Sequence, residues 1–112
     1  MIPGRQMAAS AGKQDAVTIV TTTAANTATS GTCTLPGGAT GKPVKITASG
    51  AVSGYVVINV GTQAQFVLPV NPNAPFTEKA IPATAFPSPV NSVPISVTTT
   101  AAGSVVVTIS FA

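Results

Sequence analysis

The sequence contains no histidine and no tryptophan, one cysteine, and two carboxylate residues, Asp15 and Glu78, among 112 residues. Catalysis by a Ser-His-Asp or Cys-His arrangement needs an imidazole, so neither arrangement can be assembled. Zinc sites built on histidine and cysteine are excluded, and two carboxylates would make a poor calcium site. A Ser-Lys dyad stays open, although no recognised motif places a serine beside a lysine. We therefore predict that the protein is not an enzyme and that it binds no cofactor and no metal.

The single cysteine, Cys33, cannot form an intrachain disulfide, which argues against a small extracellular domain held together by such bonds. Because Thr32 and Thr34 flank it in a strand-like run, we expect Cys33 to be a small buried residue. The stretch PGGATGKP resembles a phosphate-binding loop, but Gly37 comes one position late and Pro43 replaces the required hydroxyl. A glycine-rich turn is the better interpretation.

Charge is also scarce, since charged residues make up 6% of the chain where about 25% is usual. The net charge of +3 comes from scattered cations without any Lys or Arg run, so we predict no direct binding of nucleic acid. No apolar run approaches the roughly 18 residues that cross a membrane, and we expect no membrane partner. Polar residues interrupt the first fifteen positions, so a secretory leader is not expected. A surface with so little charge is typical of a protein packed against partners.

The sequence predicts an all-β fold, an antiparallel β-sandwich or a jelly-roll-like barrel of seven or eight short strands. Alternation is clearest in SVVVTISFA, where Val105, Val107, Ile109 and Phe111 share one face. PISVTT, with Ile95 and Val97 inward, is predicted to form a hairpin with it through residues 101–103. Further strands are predicted at GTCTL, at PVKITA with Val44 and Ile46 inward, at GYVVINV, at QAQFVLP with Ala64, Phe66 and Leu68 inward, and at FTEKAI.

Three candidate contact regions are predicted: an N-terminal arm, a proline-rich stretch and the uncharged face of a sheet, in that order. The strand-like pattern starts at Ala16, so we expect an extended N-terminal arm over residues 1–15 and one β-domain over residues 16–112. Seven of the ten prolines lie from Pro69 to Pro94, which predicts edge strand and extended loop there rather than central strand. Phe76 and Phe86 lie in this stretch, and they either contact a partner or pack into the core. The repeated TTTAA at residues 21–25 and 98–102 is interpreted as polar strand ends that run into turns.

The chain has an N-terminal arm before a Thr/Ala/Val-rich β-domain, few charges and no set of catalytic residues. In this overall character it resembles the head decoration, or cement, proteins of tailed bacteriophages. The resemblance covers the whole chain and rests on no motif. It implies a structural protein on the outer capsid surface of the virion, assembled in the host cytoplasm, that bridges neighbouring capsid subunits. The implied partners are the major capsid protein and two further copies in a homotrimer. In the arm, Arg5 and Lys13 would meet acidic capsid groups, and Ile2 and Met7 would cover apolar surface.

Two alternatives stay open at this point. A secreted or cell-surface adhesion domain, including a pilus-type domain that exchanges a strand with its neighbour, fits the composition. A coat protein like those of RNA phages, which contacts RNA across its sheet, fits the positive charge but has few cations to use. A gene beside a major capsid gene would favour the decoration protein, and one beside a chaperone and usher would favour the pilus-type domain.

Overall fold

The computed structural model describes residues 14–59, 65–72 and 77–112. Within these ranges the chain forms strands and two short 3-10 turns but no α-helix, which confirms the predicted all-β class. The first strand begins at Gln14, two residues before the predicted start of the domain, because Gln14 pairs with Phe111. The eight strands are β1 (Gln14–Thr22), β2 (Thr29–Thr34), β3 (Pro43–Gly50), β4 (Gly54–Asn59), β5 (Gln65–Val70), β6 (Thr77–Ala80), β7 (Ser92–Thr99) and β8 (Gly103–Phe111).

The strands form two four-stranded antiparallel sheets that pack face to face. The first, sheet A, has the order β1-β8-β3-β6, and the second, sheet B, has the order β2-β7-β4-β5. Strand 1 therefore pairs with 8, 2 with 7, 3 with 6 and 4 with 5, as in a jelly roll. The β-sandwich prediction is confirmed, and its jelly-roll form is the one the chain adopts.

The core lies between the sheets and is built from the alternate residues of each strand. On β8 all four residues predicted to point inward are buried, and on β7 Ile95 and Val97 are buried with them. Ile46 and Leu68 are buried as predicted. Val44 is only half-buried, in contrast to the prediction, because the register between β3 and β8 shifts between Pro43 and Lys45. This bulge leaves Val44 without a partner on β8 and buries Pro43 in its place.

The predicted hairpin of β7 with β8 is wrong. Strand β7 pairs with β2 and β4 in sheet B, whereas β8 pairs with β1 and β3 in sheet A. Residues 100–102 thus carry the chain from one sheet to the other, and the backbone N–H of Thr100 donates to the Ser53 carbonyl at 2.9 Å. Two consecutive strands that each bury one face satisfy the same sequence pattern whether they lie side by side or stack across the core.

The hairpin that the structure does contain joins β4 and β5, which pair from Gly54 with Val70 to Asn59 with Gln65. The sequence placed a tight turn at Gly61 and Thr62, and these residues lie outside the described ranges, as does Ala64. Strand β6 confirms the strand predicted at FTEKAI.

The proline-rich stretch was predicted to contain no central strand, and Pro94 shows that this is wrong. It lies in β7, a central strand of sheet B. The N–H of Leu35 donates to the Asn91 carbonyl at 2.8 Å, so alternate residues of β7 from Asn91 onward face β2, and Pro94 faces β4. Pairing of β7 with β4 ends at Ile95, opposite Ile58. Pro94 therefore lies just beyond the last residue of β7 that pairs with β4. Although proline has no N–H to donate, no hydrogen bond between the two strands is lost there.

The two TTTAA segments meet in space. Thr22 and Thr99, the second threonine of each copy, are both about 1% exposed, and their hydroxyls are hydrogen-bonded to each other. The Thr99 hydroxyl donates to the Ala101 carbonyl at 2.7 Å, and the Gly103 N–H donates to the Thr22 hydroxyl at 3.2 Å. Each copy ends a strand as predicted, and together they close one end of the sandwich with satisfied buried polar groups.

Candidate interaction surfaces

Five of the six residues predicted to contact a partner lie outside the described ranges, and the sixth, Phe86, lies within them. Ile2, Arg5, Met7 and Lys13 in the arm, and Phe76 in the proline-rich stretch, lie outside the described residues, so their roles stay predictions. Phe86 follows the 3-10 turn Ala83–Ala85 and is half-buried, with its ring packed against the hydrophobic core. This position matches the core alternative for Phe86 while leaving part of the ring accessible.

The charged residues of the described chain are distributed unevenly between the sheets. No strand of sheet B contains a charged residue, whereas Asp15, Lys45, Glu78 and Lys79 lie on strands of sheet A and Lys42 lies just before β3. The Lys45 Nζ lies 3.8 Å from the Glu78 Oε1, and both side chains are about half exposed, so this ion pair adds little stability. Sheet B thus presents the uncharged outer surface of the domain.

The outer surface of sheet B has an apolar part, which we call the β4–β5 face, made of Tyr55, Val57, Val67 and Pro69. Tyr55 stands opposite Pro69 and Val57 opposite Val67 in the ladder, so the four side chains form one group. Tyr55 is 43% exposed and Val67 is 46% exposed. The neighbouring outward residues of β7 and β2 are Ser, Thr and Pro94. Aromatic and apolar groups surrounded by hydroxyls are typical of the centre of a protein interface.

A second apolar group lies on the outer surface of sheet A, and we call it the β1–β8 face, made of Val17, Ile19 and Val106. These side chains are 61%, 64% and 38% exposed, and Ile19 stands directly opposite Val106. The Thr21 and Ser104 hydroxyls, 3.0 Å apart, flank the group on one side. The sequence gives no signal for this face, because AVTIV has β-branched residues on both sides of the strand and the alternation does not tell which side is buried.

Reactive chemistry is sparse in the described part of the chain. No group of three or more His, Cys, Asp or Glu residues comes together there in a way that could hold a metal ion. Cys33 is fully buried, as predicted, and its Sγ lies 3.9 Å from the Val107 carbonyl oxygen. Burial raises the pKa of the Cys33 thiol to about 12, so the thiolate nucleophile does not form at neutral pH. Among the described helices, none has the length and apolar character needed to span a bilayer.

Comparison with known proteins adds no assignment: no protein-family model matches the chain, and no curated protein or solved structure matches it. The two apolar faces and the uneven distribution of charge are the features of the domain that bear on its function.

Proposed function

We propose that the protein is a non-enzymatic structural component of a virus particle that binds the outer capsid surface and bridges neighbouring capsid subunits. The observation that carries the proposal is the charge-free sheet B with the exposed β4–β5 face. Burial of a charged group against a partner costs free energy unless that group is paired, and sheet B presents no such group. Tyr55 supplies a large ring that loses little conformational freedom on binding.

The jelly-roll topology is compatible with this proposal. The same topology occurs in viral capsid domains, in lectins and in cupins, so it supports a structural or adhesive role by analogy alone. The homotrimer and the contact of Arg5 and Lys13 with acidic capsid groups come from the phage resemblance, and both belong to the proposal in that form. An adhesion or pilus-type domain is the alternative, since the same uncharged face would suit it.

The first test is the location of the protein. Mass spectrometry of purified virions and electron microscopy of the particles should find the chain on the capsid exterior. A protein that is never associated with particles would reject the proposal, and a gene beside a chaperone and usher would favour the pilus-type domain.

The second test addresses the β4–β5 face with a matched pair of variants. We expect Val67→Lys to weaken binding to capsids that lack the protein by at least about tenfold, because a buried lysine at an interface centre loses its hydration. Thr47→Lys adds the same charge to the outward surface of sheet A and should bind like the native chain. Co-sedimentation with capsids measures both. Equal binding by the two variants would show that the capsid lies on another surface.

A further inference from the structure

We propose that β1 of one copy pairs with β1 of a second copy, antiparallel and around a two-fold axis at Thr18, so that two sheets A become one continuous sheet. The proposal is independent of the capsid-binding function. It depends on the hydrogen-bonding pattern of β1, on the other edges of the sandwich, and on the side chains that β1 presents.

The hydrogen bonds that β8 makes on its β3 side show which backbone groups of β1 bond to β8 and which point away from it. Lys42 and Ala112 exchange two backbone hydrogen bonds, of 2.9 and 3.1 Å, so Ala112 faces β3. Alternate residues of β8, starting with Phe111, therefore face β1. The register of β1 with β8 is constant from Gln14 opposite Phe111 to Thr22 opposite Gly103. Bonds to β8 thus come from the even-numbered residues of β1. Four residues direct N–H and C=O groups to the opposite edge, which we call the open edge because no strand of the described ranges pairs there: Asp15, Val17, Ile19 and Thr21.

The other edge strands are less suited to pairing with a second copy. Strand β6 has four residues and includes Glu78 and Lys79, and Lys79 stands opposite the buried Ile46. Short length and charge, above all on the core side, discourage edge-to-edge pairing. Strand β5 includes Pro69, which cannot donate to a new neighbour. Strand β2 has six residues and contains Gly31, and a glycine in its interior weakens a strand. Strand β1 has nine residues, no proline, no glycine, and Asp15 as its sole charge.

One register of two antiparallel β1 strands uses all four edge residues. With Thr18 opposite Thr18 of the second copy, Val17 stands opposite Ile19 and Asp15 opposite Thr21, and each pair occurs twice by symmetry. All of these pairs join residues whose backbone groups face the open edge, so roughly eight backbone hydrogen bonds form, two for each pair. A shift by one residue would place edge-facing groups against groups already bonded to β8, and a shift by two leaves edge residues unpaired.

The side chains favour the same arrangement. Val17 and Ile19 are the two most exposed large apolar residues of the described chain, and each would cover the other across the axis. The two Asp15 carboxylates would be six residues apart, about 20 Å, so they would not repel each other. A parallel pair would place Asp15 directly against Asp15. Charge repulsion thus favours the antiparallel pair. In that pair each Asp15 carboxylate stands opposite the polar Thr21 side chain of the other copy.

The interface has a modest size. Nine strand residues span about 30 Å, and the two sheets are about 10 Å apart. The area of this edge is therefore smaller than the roughly 800 Å² that each partner buries in a stable interface. The homotrimer is proposed for the chain bound to the capsid; for the free chain in solution, an interface of this size predicts a dimer that dissociates on dilution. Sedimentation equilibrium of the full chain should give a mass that rises with concentration from 11.0 kDa to twice that value.

Amide hydrogen exchange identifies the strand. In the concentrated dimer the amides of Asp15, Val17, Ile19 and Thr21 should exchange slowly, and on dilution they should exchange at the rate of exposed amides. The amides of Ala16, Thr18 and Val20, which bond to β8, should stay protected at both concentrations.

Charged variants test the register. Val17→Lys and Ile19→Glu each place charge against an apolar partner at both symmetric pairs, and each should raise the dimer dissociation constant about tenfold. The double variant V17K/I19E sets opposite charges against each other at both pairs, so it should dimerise more tightly than either single variant. Thr47→Lys adds a charge to the outward surface of the same sheet, on β3, which β8 separates from β1, and it should leave the dissociation constant unchanged.

A chain that stays monomeric up to about 1 mM overturns the proposal. A dimer or trimer whose dissociation constant is unaffected by Val17→Lys and Ile19→Glu overturns it as well. If the double variant is weaker than both single variants, like charges are being brought together, and the proposed register is wrong.

Discussion

Substitution of Gly31 by alanine tests how closely the two sheets approach where β1 crosses β2. Gly31 lies opposite the buried Ile95, so a side chain there would point into the core. A Cβ atom at Gly31 would lie 2.5 Å from the Val20 Cγ2 and 3.6 Å from the Ile95 Cγ1, where ordinary contacts are 3.4–4 Å. Val20 is 4% exposed and β-branched, so its methyl group cannot rotate away. The backbone of the two strands would have to move apart.

The cost can be estimated from two opposing effects. Overpacking a core by one methyl group costs typically about 1–3 kcal/mol. Alanine in a strand interior recovers about 0.5–1 kcal/mol that glycine loses through its greater freedom when unfolded. We expect Gly31→Ala to lower the free energy of unfolding by about 1–2 kcal/mol, measured by urea denaturation.

Val20→Ala provides the control, because it removes the methyl group that Gly31→Ala would strike. Alone it should destabilise the domain by leaving a cavity, but in the Gly31→Ala background it should cost about 1 kcal/mol less. Gly54→Ala is the contrasting case, since its Cβ would meet the Thr98 carbonyl oxygen, which no side-chain truncation removes. A Gly31→Ala protein as stable as the native one, or strictly additive effects with Val20→Ala, would refute the close approach.

Two further predictions concern Cys33 and the arm. Since burial raises the pKa of Cys33 from 9.0 to about 12, the stability due to the neutral thiol is complete below pH 9 and is lost between pH 9 and 12. The free energy of unfolding should therefore fall over that range by up to about 1.4 kcal/mol per pH unit, and Cys33→Ala should show a shallower fall; equal slopes would contradict this assignment. Deletion of residues 1–13, which stops before β1, should leave the β-domain folded by circular dichroism but weaken capsid binding, and unchanged capsid binding would reject the arm.

Local alternation predicted the residues that fill the core. In β8 the buried residues recur with a period of two, and the pleat of a strand requires that period whatever its neighbours are. The burial of Cys33 followed from its apolar character in the same way. The bulge at Val44 was not predicted, since it depends on how β3 is aligned with β8, and that alignment is set by contacts distant in sequence.

The surface was predicted less completely than the core. The uncharged character of the surface is a matter of composition, but its concentration on sheet B depends on which strands share a sheet. Val17 and Ile19 became candidates only when the structure showed that Ala16, Val20 and Thr22 are the buried residues of β1. A strand with β-branched residues on both faces gives no local signal of its orientation.

The sequence by itself determined the all-β class, the alternating core residues and the lack of an imidazole for catalysis, because these depend on residue types and on the two-residue period of a strand. Tertiary structure alone decided the partners of each strand. It separated β7 from β8, placed Pro94 at the end of the β4 ladder, and brought Thr22 to Thr99 across 77 residues. Such pairings depend on the closure of long loops and on the packing of two whole sheets, which no local pattern encodes.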